Sequence, residues 1–138
     1  FGKVIYDTSK PGVFVGDFGG TVPVLVVYTL AETIATQKPV VQSFVNAMYQ
    51  AMKWVKATPI DEVYALVGEK VYSGVDPVAV KAEMGFDKIT WDYNGSFDKA
   101  AFERGGKVWY RAGSDIPPSK YEDLVDMSFI EAAQAKYK

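Results

Sequence analysis

A chain of 138 residues with 49% hydrophobic and 23% charged residues is one ordinary globular domain's worth of sequence, which argues against disorder and against a coiled coil. A formal net charge of −2, with no Lys/Arg run or basic stripe, leaves no field to attract nucleic acid or an anionic membrane. With no Cys and no His, disulfides, thiolate catalysis, Cys-based zinc sites and the commonest general base are all excluded, and most hydrolase constellations with them.

The chain opens at Phe1-Gly2-Lys3 without a Met or a signal peptide, so a stretch before Phe1 is expected to have been removed. Val4-Ile5-Tyr6 reads as a short strand, and Asp7 to Gly12 follows with turn chemistry at nearly every position. Val13-Phe14-Val15 is too short to assign. Gly16-Asp17-Phe18-Gly19-Gly20-Thr21 reads as a glycine-rich loop, either a backbone that approaches a ligand closely or a hinge that needs positive φ. It lacks the spacings of the dinucleotide and Walker phosphate loops. Val22 to Thr29 is the strongest strand signal, β-branched and almost continuously apolar, as in a strand covered on both faces. Few other strands are legible, so the chain cannot build the sheet that such a strand belongs to. The longest apolar run, Val22 to Leu30, contains Pro23, Tyr28 and Thr29 and is too short to span a bilayer.

Leu30 to Lys38 reads as a short helix leading into a central helix over Pro39 to Thr58. In the latter, Val41, Phe44, Val45, Met48, Met52 and Val55 recur at three- and four-residue steps, with Gln42, Asn46, Gln50, Lys53 and Lys56 on the opposite side. Ala47, Ala51 and Trp54 form a flank beside which a second backbone could pack, giving a core helix with two neighbours. Thr58-Pro59-Ile60-Asp61 reads as the start of a helix running to about Ser73, ended by Gly74, and Asp76-Pro77 opens another. Ile89 to Ser96 reads as a loop turning at Asn94-Gly95, whose Trp91 and Tyr93 either form an aromatic binding platform or cover helix ends. Ser96 is the expected cap of a helix from Phe97 to about Ala112, in which Gly105-Gly106 marks a close crossing. Pro117-Pro118 breaks the chain, Tyr121 to Val125 gives one turn, and Asp126 caps a last helix from Met127 to Tyr137. The carboxylates of Asp61-Glu62 and of Glu122, Asp123 and Asp126 sit at helix starts, where the dipole explains them.

A strand ending in Tyr28-Thr29, a short helix, "KPVVQSFVNAMYQAMKWVKATP", "DEVYALVGEKVYSGVDPVAVKAEM", "WDYNGSFDKAAFERGGKVWYRAG" and "YEDLVDMSFIEAA", in this order, resemble the C-terminal part of ABC-transporter substrate-binding proteins of the nitrate/sulfonate/taurine type. That group is similar in turn to fungal thiamin-pyrimidine precursor proteins. The resemblance implies an α/β fold, an incomplete lobe of the type-2 periplasmic-binding-protein architecture, helix-dominated with about five helices and two or three short strands. Residues 1–20 would be the tail of the second lobe with its glycine-rich loop, 21–29 the returning crossover strand, and 30–138 the helical completion of the first lobe. The first half of such a protein is absent from this chain.

The resemblance further implies an extracytoplasmic, periplasmic or membrane-associated component that captures nitrate, a sulfonate or a thiamin pyrimidine precursor and delivers it to an ABC permease. No enzymatic activity, cofactor or metal is implied. Ligand contacts would fall to Asp17, Phe18, Gly19 and Gly20 and to Tyr28 and Thr29. The expected partners are the small molecule, the permease, and either the absent half or a second copy, because Val24, Leu25, Val26 and Val27 need a cover. The alternatives are an enzyme of the thiamin-pyrimidine synthase type and a helical interaction module without a ligand.

Overall fold

The computed structural model describes residues 3, 5–7, 10, 12–110, 115 and 117–138. Helices account for 65% of the described residues, and no strand is present among them. The helices are α1 (Val13–Phe18), α2 (Ala31–Ala57), α3 (Ile60–Val63), α4 (Glu69–Val71), α5 (Pro77–Thr90), α6 (Lys99–Trp109), α7 (Tyr121–Leu124) and α8 (Ser128–Lys136), with a π-turn over Tyr64–Gly68 between α3 and α4. Two compact units result: Phe1–Leu30 with Ser96–Met127, and Ala31–Gly95 with Ser128–Lys138.

The α/β expectation, and with it the incomplete periplasmic-binding-protein lobe, is therefore overturned. Residues 22–29 are irregular, with Leu25 89% and Tyr28 91% exposed. The reason is physical: a strand is held by its ladder, and among the described residues nothing offers a second edge. Of the other expected strand, Val4 lies outside the described residues, and Ile5 and Tyr6 are neither paired nor covered. Thr8, Ser9 and Pro11 of the expected turn also lie outside them. Glycine-rich residues 16–18 are helical, and the loop proper begins at Gly19, whose φ of 72° ends α1.

In the second unit, α2 bends at Gln37 (φ −132°, ψ 32°), two residues before Pro39. Proline has no N–H for the carbonyl one turn back, so the short helix and the central helix meet there as a kink. The buried side of α2 is rotated from the expected stripe. Val41, Val45, Met52 and Val55 are half-buried, but so are Gln42, Asn46 and Tyr49, whereas Phe44 (51%), Met48 and Trp54 are exposed together with Val40, Ala47 and Ala51. The cause is α8. Gln42 Nε2 donates to the Phe129 carbonyl and to Asn46 Oδ1, each at 2.9 Å, so these amides serve the helix pair.

Phe129, Ile130 and Ala133 of α8 are buried, and α8 makes its principal packing against α2. Lys53 Nζ donates to the Tyr137 carbonyl at 2.6 Å and Gln134 Nε2 to the Asn94 carbonyl at 2.7 Å, fastening the C-terminal end of α8. Gly95 is required beneath α8: its φ is 69°, and a Cβ there would lie 2.8 Å from Met52 Cε and 3.1 Å from Ile130 Cδ1. The remainder of the unit packs α5 against α3 and the π-turn, with Val63 and Val80 buried. The Tyr64 ring lies over Gly68, and Lys81 Nζ reaches both Asp61 Oδ1 (2.8 Å) and the face of that ring (5.1 Å). The Thr58 carbonyl accepts from Lys88 Nζ, and Asp76 caps α5 by accepting from Val78 N at 3.0 Å.

In the first unit, α6 is capped by Asp98, which accepts from Ala101 N at 2.7 Å. The expected cap, Ser96, lies two residues too early, and the expected end of the helix, Ala112, lies outside the described residues. Tyr121 of α7 takes the edges of Phe97 (6.3 Å, 87°) and Phe102 (5.7 Å, 77°), and its hydroxyl donates to the Phe97 carbonyl. The Gly105 crossing is present, with Val22 Cγ1 3.5 Å and Pro23 Cδ 3.6 Å from where a Cβ would stand.

Truncating Ile130 to Ala is expected to lower unfolding free energy by roughly 2–5 kcal/mol through lost burial and a cavity, read as a fall in the urea midpoint. A loss below about 1 kcal/mol would place the core of the unit elsewhere. Asp98→Ala is expected to cost about 1 kcal/mol. Ser96→Ala should stay within about 0.5 kcal/mol, and the reverse ranking would restore Ser96 as the cap.

Candidate functional site

The loop that follows α1 is built by two glycines in succession, Gly19 (φ 72°) and Gly20 (φ 141°), conformations that a side chain resists. Asp17 and Phe18 close α1 just before it, and Phe18 stacks on Phe14 with ring centroids 4.5 Å apart. Asp17, Phe18 and Gly19 are exposed, and Gly20 is half-buried. Its cover is Arg104 of α6. A Cβ on Gly20 would stand 2.6 Å from the Arg104 Cζ, and Arg104 Nε donates to the Thr21 carbonyl at 2.9 Å. Thr21 then leads into Val22 and Pro23, which cross α6 at Gly105. The loop is thus fastened to α6 at four consecutive residues, Gly20 to Pro23.

Tyr28 and Thr29 lie exposed further along the same unit. Among the described residues no hydrogen bond, ion pair or ring contact joins either of them to Asp17, Phe18, Gly19 or Gly20. Sequence reasoning passed over Arg104, because an arginine in an amphipathic helix, 83 positions from the loop it touches, carries no local signal.

Two open depressions, of about 310 and 320 Å³, mark the opposite face of α6. Phe102, Glu103 and Ser119 line both; Lys107 and Tyr110 extend the first, and Lys99 and Glu122 the second. None of the six residues expected to bind a ligand lines either. Lys99 Nζ and Glu122 Oε1 form an exposed ion pair at 2.6 Å. Their hydrogen bond raises the Lys99 pKa above its ordinary value and lowers that of Glu122.

In the second unit, Trp91 follows the last residue of α5, and the Tyr93 hydroxyl donates to the Lys88 carbonyl at 2.8 Å. The two rings touch at 6.3 Å, which is the geometry of aromatics closing a helix end. Burial raises the Tyr93 phenol, and Lys56 Nζ stands 5.6 Å from its ring centroid. Among the described residues no group of His, Cys, Asp or Glu side chains could hold a metal ion, and no helix is long and apolar enough to cross a membrane. Comparison with protein-family models, curated proteins and solved structures finds no match.

The Lys99–Glu122 pair sets a pH dependence. Glu122 is depressed, so its contribution is present above the ordinary carboxyl value of 4.5 and is lost as pH falls through the lowered value. Lys99 is raised, so its contribution is present below 10.5 and is lost as pH rises through the raised value. In Lys99→Met the Glu122 carboxyl, followed by NMR, is expected to titrate higher, closer to its ordinary value, with the backbone hydrogen bond still lowering it; an unchanged titration would show that the pair does not form in solution. Added salt should shrink the difference, since both groups are exposed.

Proposed function

We propose that this chain carries the C-terminal part of an extracytoplasmic solute-binding component of an ABC importer. It serves a small molecule such as nitrate, a sulfonate or a thiamin pyrimidine precursor, with delivery to a permease and no covalent chemistry. Two things support the reading: the order of several long segments resembling that class, and an apolar surface that a self-contained domain of this composition would bury. The observation that carries most weight is the second. Residues 24–30 form a run of seven exposed positions, six of them Val, Leu or Tyr. Such a run is the kind of exposed apolar stretch that other protein covers.

A helical interaction module without a ligand is the second reading, favoured by the absence of strands among the described residues and by the uncovered apolar side of α2. A thermal-shift screen of the whole polypeptide that carries this chain separates the two. Under solute capture, one ligand class among nitrate, alkanesulfonates and pyrimidines raises Tm progressively with concentration, by roughly the RT ln(1 + [L]/Kd) of mass action. A flat response to all three classes would contradict capture and leave the interaction module.

A further inference from the structure

The loop at Gly19 and Gly20 holds an arginine whose charge the protein does not use. Arg104 is half-buried, yet no carboxylate pairs with it among the described residues. A guanidinium offers five N–H donors in a planar fork, and among the described residues Nε alone has an acceptor, the Thr21 carbonyl. That single bond does what a positioning contact should, fixing the plane of the fork and leaving the terminal nitrogens for an acceptor. Gly20 makes the placement possible: with no side chain, at φ 141°, it yields to the guanidinium the volume that a Cβ would fill, 2.6 to 2.8 Å from Cζ, Nη2 and Nε. Gly105, one residue along α6, is buried under Val22 and Pro23, so the helix position that launches the arginine is held by packing.

From this arrangement we infer that Arg104, seated on Gly20 and tied to Thr21, is the receptor for a small oxyanion, a sulfonate, nitrate or carboxylate, bound through the free edge of its fork. Oxyanions match that fork with two parallel charge-assisted hydrogen bonds, which a lysine cannot reproduce. The inference rests on the reading of the chain as a solute-capturing piece for the purpose of the anion, and it narrows the candidate solutes to anionic ones.

The test is an NMR titration of the full 138-residue chain with methanesulfonate, nitrate and acetate in turn, at ionic strength held constant with chloride. The Gly19, Gly20 and Thr21 amides are followed. The expected result is a saturable shift at these amides with at least one oxyanion, weakened tenfold or more in Arg104→Gln and several-fold in Arg104→Lys. Lys99→Gln, which removes the same charge from a position five residues back on α6 and well round the helix from Arg104, should keep the wild-type response. Gly20→Ala, whose methyl displaces the guanidinium, should weaken binding while leaving the α6–α7 aromatic contacts, and hence the Tyr121 ring signals, in place. Unsaturable shifts equal in wild type and Arg104→Gln would overturn the inference. So would saturation by neutral 4-aminopyrimidine alone, unaffected by Arg104→Gln, an outcome that nevertheless preserves solute capture.

Discussion

The seam between α2 and α8 is the interaction on which the second unit depends. Phe129, Ile130 and Ala133 are its buried apolar residues, and the side chains of Gln42, Lys53 and Gln134 each donate across it or beside it to a backbone carbonyl. Full burial of Phe129 and Ile130 is worth roughly 1.5–3 kcal/mol each, an upper value when measured against a compact unfolded chain. Without α8, the long helix would have apolar side chains exposed on both of its sides, and Gly95 would have nothing to pass beneath.

The same helix shows what the chain lacks. Its far side, from Val40 and Phe44 through Ala47 and Ala51 to Trp54, carries the small-and-large pattern of a packing face and is exposed. Residues 24–30 are exposed as well. Among the described residues the buried apolar side chains are Val63, Val80, Ala101, Phe129, Ile130 and Ala133, a thin core for a sequence that is 49% hydrophobic. Apolar surface on this scale is the property that ties the fold to the proposed function, because it calls for a larger assembly in which a captured solute could be enclosed.

Helices were legible wherever local chemistry decides them. The three- and four-step apolar period located the part of α2 from Pro39 onward, and Asp76-Pro77 and Gly74 marked a start and a stop. What failed depended on distant partners. Residues 22–29 carry every mark of a strand, but a strand is a relation between two segments, and the second is absent among the described residues. Gln42 and Asn46 were placed on the solvent side because polarity at helical spacing usually means solvent; here Gln42 donates to a carbonyl of a helix 87 positions away and to Asn46 Oδ1 beside it. Ser96 and Asp98 are both good caps, and only the register of α6 chooses between them. At the candidate site, the glycines announced a special backbone, but their arginine could not be seen from their own neighbourhood.

The central claim, that this chain presents apolar surface built to be covered by more protein, is tested most directly by sedimentation equilibrium of the purified chain across a wide concentration range. The account predicts masses that rise with concentration above the 15.2 kDa of a single copy, as the run at residues 24–30 and the free side of α2 find cover in one another's company. A single species holding at 15.2 kDa, soluble at every concentration, would contradict it.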